Sequence, residues 1–297
     1  MSVVARRPPD VFRGIVYMVL AGASFALLDS VAKWLSARYP MLMVAWSRYF
    51  FHVLILAAVM LPRMGRRLVA TRHPWLQLVR GLFLGSTTLA FFSAIQRLPI
   101  AEATAIVAIA PLLVTAVAVL WLGERAPPGT WWALAISFGG VLLIIRPGGA
   151  LFGWAALLPL LSAVCVSGYQ LLTRRLAGID DGVATLFLGG VVAAAMMTAL
   201  VPLHWTAPAS FFDGFLLVAL GGVGAGGHLM LVRAYENASA STLAPYGYAH
   251  AVTALPMGLL VFGAFPDAIA LAGMALILAT GAWMAIRRHM RVDPVED

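Results

Sequence analysis

Ten apolar stretches, nearly free of charge and separated by short polar loops, leave this chain almost no choice of fold. They cover residues 14–35, 40–61, 75–95, 100–121 and 131–145, then 154–173, 183–203, 211–233, 241–263 and 268–286. A helix of about 20 such residues crosses the hydrocarbon core of a bilayer, and a helix satisfies its own backbone hydrogen bonds there. A soluble core cannot hide run after run of this kind. Composition agrees: 62% of the residues are hydrophobic and 11% charged, where soluble domains carry about 25% charged side chains. The expected class is an all-α integral membrane protein with ten transmembrane helices. The first run contains AGASFA, which imitates a leader cleavage site; it is read as a retained span, because the helix parity used below depends on it.

Positive charge sets the orientation expected in the membrane. Counting alternate loops, fourteen cations fall on one side: Arg6, Arg7, Arg13, Arg63, Arg66, Arg67, Arg72, Arg125, Arg174, Arg175, Arg233, Arg287, Arg288 and Arg291. Four fall on the other, Lys33, Arg38, Arg97 and Arg146, while Arg48 and Arg80 lie within spans. Both termini are therefore expected in the cytoplasm, and the protein in a bacterial inner membrane. The formal net charge of +8 sits in short loops rather than on one basic face, so it suits the anionic inner leaflet of the lipid bilayer and not a nucleic acid.

A second pattern doubles the architecture. The stretch 94–125 has a faint copy at 234–265: a shift of 140 positions pairs Ala94 with Ala234, Leu120 with Leu260 and Gly123 with Gly263. Residues 1–13 then form a tail, 14–146 a first five-helix repeat, 147–287 a second, and 288–297 a closing tail. Five is odd, so the second repeat enters the membrane from the opposite side. Inverted repeats can open a shared midplane site to either side in turn, which points to transport.

Residues that could carry it are few, since ionisable groups are costly inside a bilayer. Asp29 and Lys33 lie four apart on one face of the first span, as a neutralising pair or as contacts for a substrate's charges. Arg48 either snorkels, pairs with Asp29 or meets substrate directly, and Arg80 is expected to snorkel to the cytoplasmic end of its span. In the ninth span Thr242, Tyr246, His250 and Thr253 form a polar stripe at helical spacing, a path wall or a hydrogen-bonded seam. Pro245 and Pro256 in that span, and Pro111 in the fourth, are hinge candidates. Thr87 and Phe91 in the third span are further path candidates. Gly81 and Gly85 correspond under the shift to Gly221 and Ala225, marking two equivalent packing seams, and His228 follows the glycine-rich run GGVGAGGH.

Catalytic machinery is not expected. There is no HExxH, no GxxxxGK[ST], no nucleophile elbow and no pair of midplane carboxylates. The lone Cys165, inside an apolar run, builds neither a disulfide nor a thiolate metal site. No cofactor or metal is called for, and the expected partners are a small-molecule substrate and the lipid bilayer. With Asp29 the main acid inside a span, proton coupling would fall to His250 or His228, if it occurs.

Four segments, FALLDSVAKWLSARYPMLMVAWSRYFF, RLPIAEATAIVAIAPLLV, LGERAPPGTWWALAISFGGVLLIIRPG and FGAFPDAIALAGMALILATGAW, together resemble the ten-helix EamA branch of the drug/metabolite transporter superfamily. The resemblance implies inverted five-helix repeats, a central cavity from the inner helices, peripheral fifth and tenth helices, and passage of small metabolites by alternating access. It implies amino-acid export as the leading reading, of neutral and aromatic amino acids, with another metabolite (vitamin or nucleoside-like cofactor) or a cationic drug as the alternative and a non-transporting scaffold as the alternative from another class. The branch's Gly-Glu after the fourth helix is Gly123 and Glu124, read as a topological anchor; its counterpart in the second half reads Gly263 and Ala264.

Overall fold

A computed structural model describes residues 10–122, 128–146, 153–176, 179–238 and 243–289. Among them the chain is helical throughout: α1 (Val11–Ser36), α2 (Met41–Met64), α3 (Pro74–Ile95), α4 (Ile100–Val107), α5 (Ala110–Leu122), α6 (Thr130–Ile145), α7 (Leu157–Leu176), α8 (Gly182–Thr198), α9 (Phe211–Asn237), α10 (Ala249–Phe262) and α11 (Ala268–His289). Five helices are long and apolar enough to cross a membrane, and five shorter apolar ones complete ten. Gly123, Glu124 and Arg125 lie outside the described residues.

Local chemistry places the boundaries. The Asp10, Asp181 and Ser210 side chains cap the N-termini of α1, α8 and α9 by accepting from backbone N–H groups of the first turn, as N-cap residues do. Pro74 opens α3, where its missing N–H costs nothing. The fourth span, expected as one helix, is broken at Ala108–Ile109 into α4 and α5. Pro111 supplies the reason: it cannot donate to the carbonyl four residues back, so the ladder is interrupted in the turn before it. Among the described residues six tryptophans are exposed, Trp75, Trp131, Trp132, Trp154, Trp205 and Trp283. They stand close to helix ends, and tryptophan is enriched at membrane–water interfaces.

The main helix pairings recur when the first five spans are exchanged with the last five. α1 packs on α9 as α3 packs on α7; α2 on α9 as α3 on α8; α1 on α10 as α7 on α4 and α5. The pairs α2 with α8 and α6 with α11 map onto themselves. The exchange holds for single residues. A Cβ on Gly81 would meet Val192 of α8, one on Gly221 would lie 2.6 Å from the backbone nitrogen of His52 in α2, and residues 52 and 192 are again 140 apart. Lipid gives apolar helices no reason to associate through the hydrophobic effect, so close van der Waals contact at small residues holds the bundle together. Gly85, meeting Met196, extends the α3–α8 seam. The largest apolar cluster gathers Leu28, Leu35, Met43, Tyr49, Phe91, Phe92 and Ile95 around the junction of α1, α2 and α3.

Candidate functional site

Polar side chains from α1, α2, α3, α9 and α10 meet inside this bundle. On α1, Asp29 is 4% exposed, and its Oδ2 lies 2.8 Å from Nε2 of His250 on α10. Close approach of the two helices allows this: a Cβ on Gly22 would sit 2.7 Å from the backbone nitrogen of His250 and 2.9 Å from Cβ of Ala249. The imidazoles continue inward. Phe25 stands edge-on to His228 at 4.9 Å and to His250 at 6.2 Å, and His228 faces His52 of α2 at 5.8 Å. His52 and His228 are buried, and Nε2 of each has no hydrogen-bond partner among the described residues. Orphaned buried donors or acceptors cost about 1–3 kcal/mol each; a solvating water or a bound solute relieves that cost.

Two arginines depart from expectation. Arg48 does not pair with Asp29; its Nη1 donates to Oγ1 of Thr88 at 3.2 Å, and its guanidinium lies 5.1 Å from the Tyr49 ring centre. Tyr49 in turn shares a 2.6 Å hydrogen bond with Thr88. Arg80 does not snorkel. At 2% exposure it donates to Oγ1 of Thr173 at 2.7 Å, to the Thr185 carbonyl at 2.8 Å and to the Tyr169 hydroxyl at 2.8 Å, and stacks on the Tyr169 ring. Gly189 makes room for it, since a Cβ there would lie 2.6 Å from Nη1. Three neutral acceptors from α7 and α8 surround the planar guanidinium and make the interior tolerable to it.

The Asp29–Lys33 pair is not formed either. Lys33 Nζ donates to the carbonyls of Ile95 and Leu98, the latter at 2.6 Å, where α3 ends. Terminal carbonyls have no intrahelical donor and attract a cation. The ninth-span stripe is broken as well. Residues Ala244–Tyr248, including Pro245, form a 3₁₀ turn before α10 starts. At 3.0 residues per turn, four residues no longer return to the same face, so Tyr246 is exposed while His250 points inward to Asp29. Thr253 is half-buried one turn along α10, Pro256 lies inside that helix, and Thr242 is outside the described residues. Thr87 belongs to the α3–α7 seam, bonding the carbonyl of Ser162 at 3.0 Å and its Oγ at 2.8 Å; Phe91 is buried in the apolar core.

Sequence reasoning missed His52, which shares a face with Arg48 four residues earlier, and Glu102, buried in the first turn of α4 with Oε2 unpartnered among the described residues. The helix start after Pro99 was a usable signal for Glu102.

The family model for EamA-like transporters matches residues 12–146. A riboflavin transporter of Rhizobium johnstonii is 32% identical over 97% of this chain and 95% of its own length. The chain belongs to the EamA-like transporter family. It is accordingly a multi-pass membrane transporter and not an enzyme. Other EamA-type relatives are a pseudopaline exporter of Pseudomonas aeruginosa, 30% identical over 89% of this chain and 93% of that one, and an S-adenosylmethionine uptake transporter of Rickettsia conorii, 26% identical over 90% of each. A solved crystal structure, 22% identical, superposes with a TM-score of 0.64 over 95% of this chain and 98% of its own, sharing the fold.

Proposed function

We propose that this EamA-like transporter moves a small polar metabolite bearing a planar heterocycle, of the vitamin or nucleoside-like class, by alternating access through the junction of α1, α2, α3, α9 and α10. In this reading residues 14–146 and 147–287 are inverted repeats, both termini are cytoplasmic, and the membrane is the bacterial inner one. The observation that carries it is the run of rings and imidazoles Phe25, His250, His228 and His52, of which the two last are buried. Its orphaned nitrogens offer hydrogen bonds to ring heteroatoms, and its faces offer stacking. Relatives that carry riboflavin and S-adenosylmethionine support the same class.

Amino-acid export is the second reading. It is favoured by Asp29 and Arg48 on adjoining helices, which could meet the ammonium and carboxylate of a zwitterion; but Asp29 already has His250 as partner. Release of labelled riboflavin, S-adenosylmethionine and a set of amino acids from loaded proteoliposomes decides between them. Release of a heterocyclic solute and retention of the amino acids is expected. Release of amino acids alone favours the second reading, and release of none overturns both.

A further inference from the structure

Away from the central junction, at the end of the bundle where α1 and α3 finish, lies a cleft of ≈ 560 Å³. Small-molecule sites fall in the range of about 300–1,000 Å³. Lys33, Arg38 and Arg97 line it together with Trp34, Gln96 and Phe262, and among the described residues no carboxylate does. These three are among the four cations assigned to this end of the molecule. The fourth, Arg146, is ion-paired with Asp267. A loop composition that keeps cations away from this end thus gathers three of them around one hollow.

Their own hydrogen bonds leave capacity for a ligand. Lys33 spends two donors on helix-end carbonyls. Arg38 is ion-paired through one nitrogen with Asp213 at 3.4 Å, whose other oxygen accepts from Tyr39 at 2.6 Å, and its guanidinium carbon lies 3.9 Å from the Trp34 ring centre. Arg97 gives one bond to the Ser93 carbonyl and lies over Trp154 at 4.7 Å. A guanidinium has five N–H donors in a planar fork suited to carboxylate and phosphate. Helix-end capping explains Lys33 and one nitrogen of Arg97, and the Asp213 ion pair one nitrogen of Arg38; neither explains why two exposed guanidinium groups both lie over indole rings beside this cleft.

We infer that this cleft is a binding site for an anionic group, carboxylate or phosphate, borne on a planar ring, with Arg38 and Arg97 gripping the anion and the ring seated beside Trp34 and Phe262, whose rings already carry Arg38 and Lys33. The cleft shares none of its lining residues with the central junction, so its occupancy can be measured separately from transport. Riboflavin 5′-phosphate and riboflavin share a ring and differ by the anion, and flavin fluorescence reports their binding to the purified full chain in a neutral-headgroup detergent. The phosphate ester binds more tightly, and the double variant Arg38→Gln, Arg97→Gln weakens it by roughly tenfold through loss of charge-assisted bonds while leaving riboflavin unchanged. The charge-keeping variant Arg38→Lys, Arg97→Lys weakens it less. Equal binding of the two flavins, or a double variant that binds the ester as the wild type does, overturns the site. In nanodiscs, phosphatidylglycerol in place of phosphatidylcholine separates two sources of the same chemistry. Ester binding that persists supports a soluble metabolite; its loss makes the lipid headgroup the occupant and overturns the metabolite assignment.

Discussion

Substituting Gly22 by alanine puts a methyl group into the seam that joins Asp29 to His250. The new Cβ would lie 2.7 Å from the His250 nitrogen, 2.9 Å from Ala249 Cβ and 3.0 Å from the Ala249 carbonyl carbon. Non-bonded carbons settle at about 3.5–4.0 Å, and backbone cannot swing aside as a flexible side chain does, so α10 must retreat by roughly 1 Å. The 2.8 Å contact between His250 and Asp29 then stretches beyond about 3.5 Å and ceases to be a hydrogen bond. Overpacking of this kind costs about 1–3 kcal/mol, which lowers the population of the sealed α1–α10 arrangement by about 5- to 140-fold. Two assays read it: flux in proteoliposomes, which slows if the sealed state lies on the cycle, and thiol labelling of Thr253→Cys in a Cys165→Ala background, which speeds up. Gly226→Ala is the control, because a Cβ there meets nothing within 4 Å. If the Gly22 and Gly226 variants match in both flux and labelling, the seam is not part of the cycle and the reasoning fails.

Arg80→Lys replaces a fork that reaches Thr173, Tyr169 and Thr185 at once with a single ammonium; a loss on the order of 3 kcal/mol lowers the thermal midpoint in detergent, and an unchanged midpoint contradicts the buried role. Asp29→Asn keeps the shape of the pair but removes its charge, so flux falls roughly tenfold in a chain that still elutes as a single folded species; undiminished flux would assign the pair to packing. Asp267 is held below the usual carboxylate range by the Ala270 N–H and by Arg146. A carboxyl depressed in the folded state stabilises above its unfolded value of 3.8, and that contribution disappears as pH falls through the lower folded value. The wild-type midpoint should therefore drop between about pH 5 and about pH 3 more than that of Asp267→Asn; parallel profiles would refute this.

What the sequence revealed about this fold follows from what periodicity can and cannot register. Lipid-length runs and their caps are local, and Asp181 or Pro74 could be placed from neighbours alone. The Gly81 and Gly221 seams were also legible, because packing without a hydrophobic driving force selects small residues at fixed positions. Partners across the bundle were not. Asp29 and His250 are separated by 221 positions, whereas a helical wheel shows only neighbours on one helix, which is how Lys33 came to be paired with Asp29. Arg80 was read as snorkelling since two of its acceptors, a backbone carbonyl and a tyrosine hydroxyl on other helices, leave no compositional trace. The ninth-span stripe failed for a local reason: Pro245 tightens the chain into a 3₁₀ turn, and the 3.6-residue period that aligned Tyr246 with His250 stops applying there.

Counterflow tests most directly whether this bundle works as a transporter with one alternating site. Proteoliposomes are loaded with unlabelled riboflavin and diluted into a trace of labelled riboflavin at equal pH on both sides, with S-adenosylmethionine and amino acids run in the same way. Alternating access predicts that label accumulates transiently above its external concentration for at least one heterocyclic solute, and only in vesicles loaded with that solute. Label that merely equilibrates, at a rate indifferent to what the vesicles contain, would contradict an alternating site and leave the junction of α1, α2, α3, α9 and α10 as a passive pore.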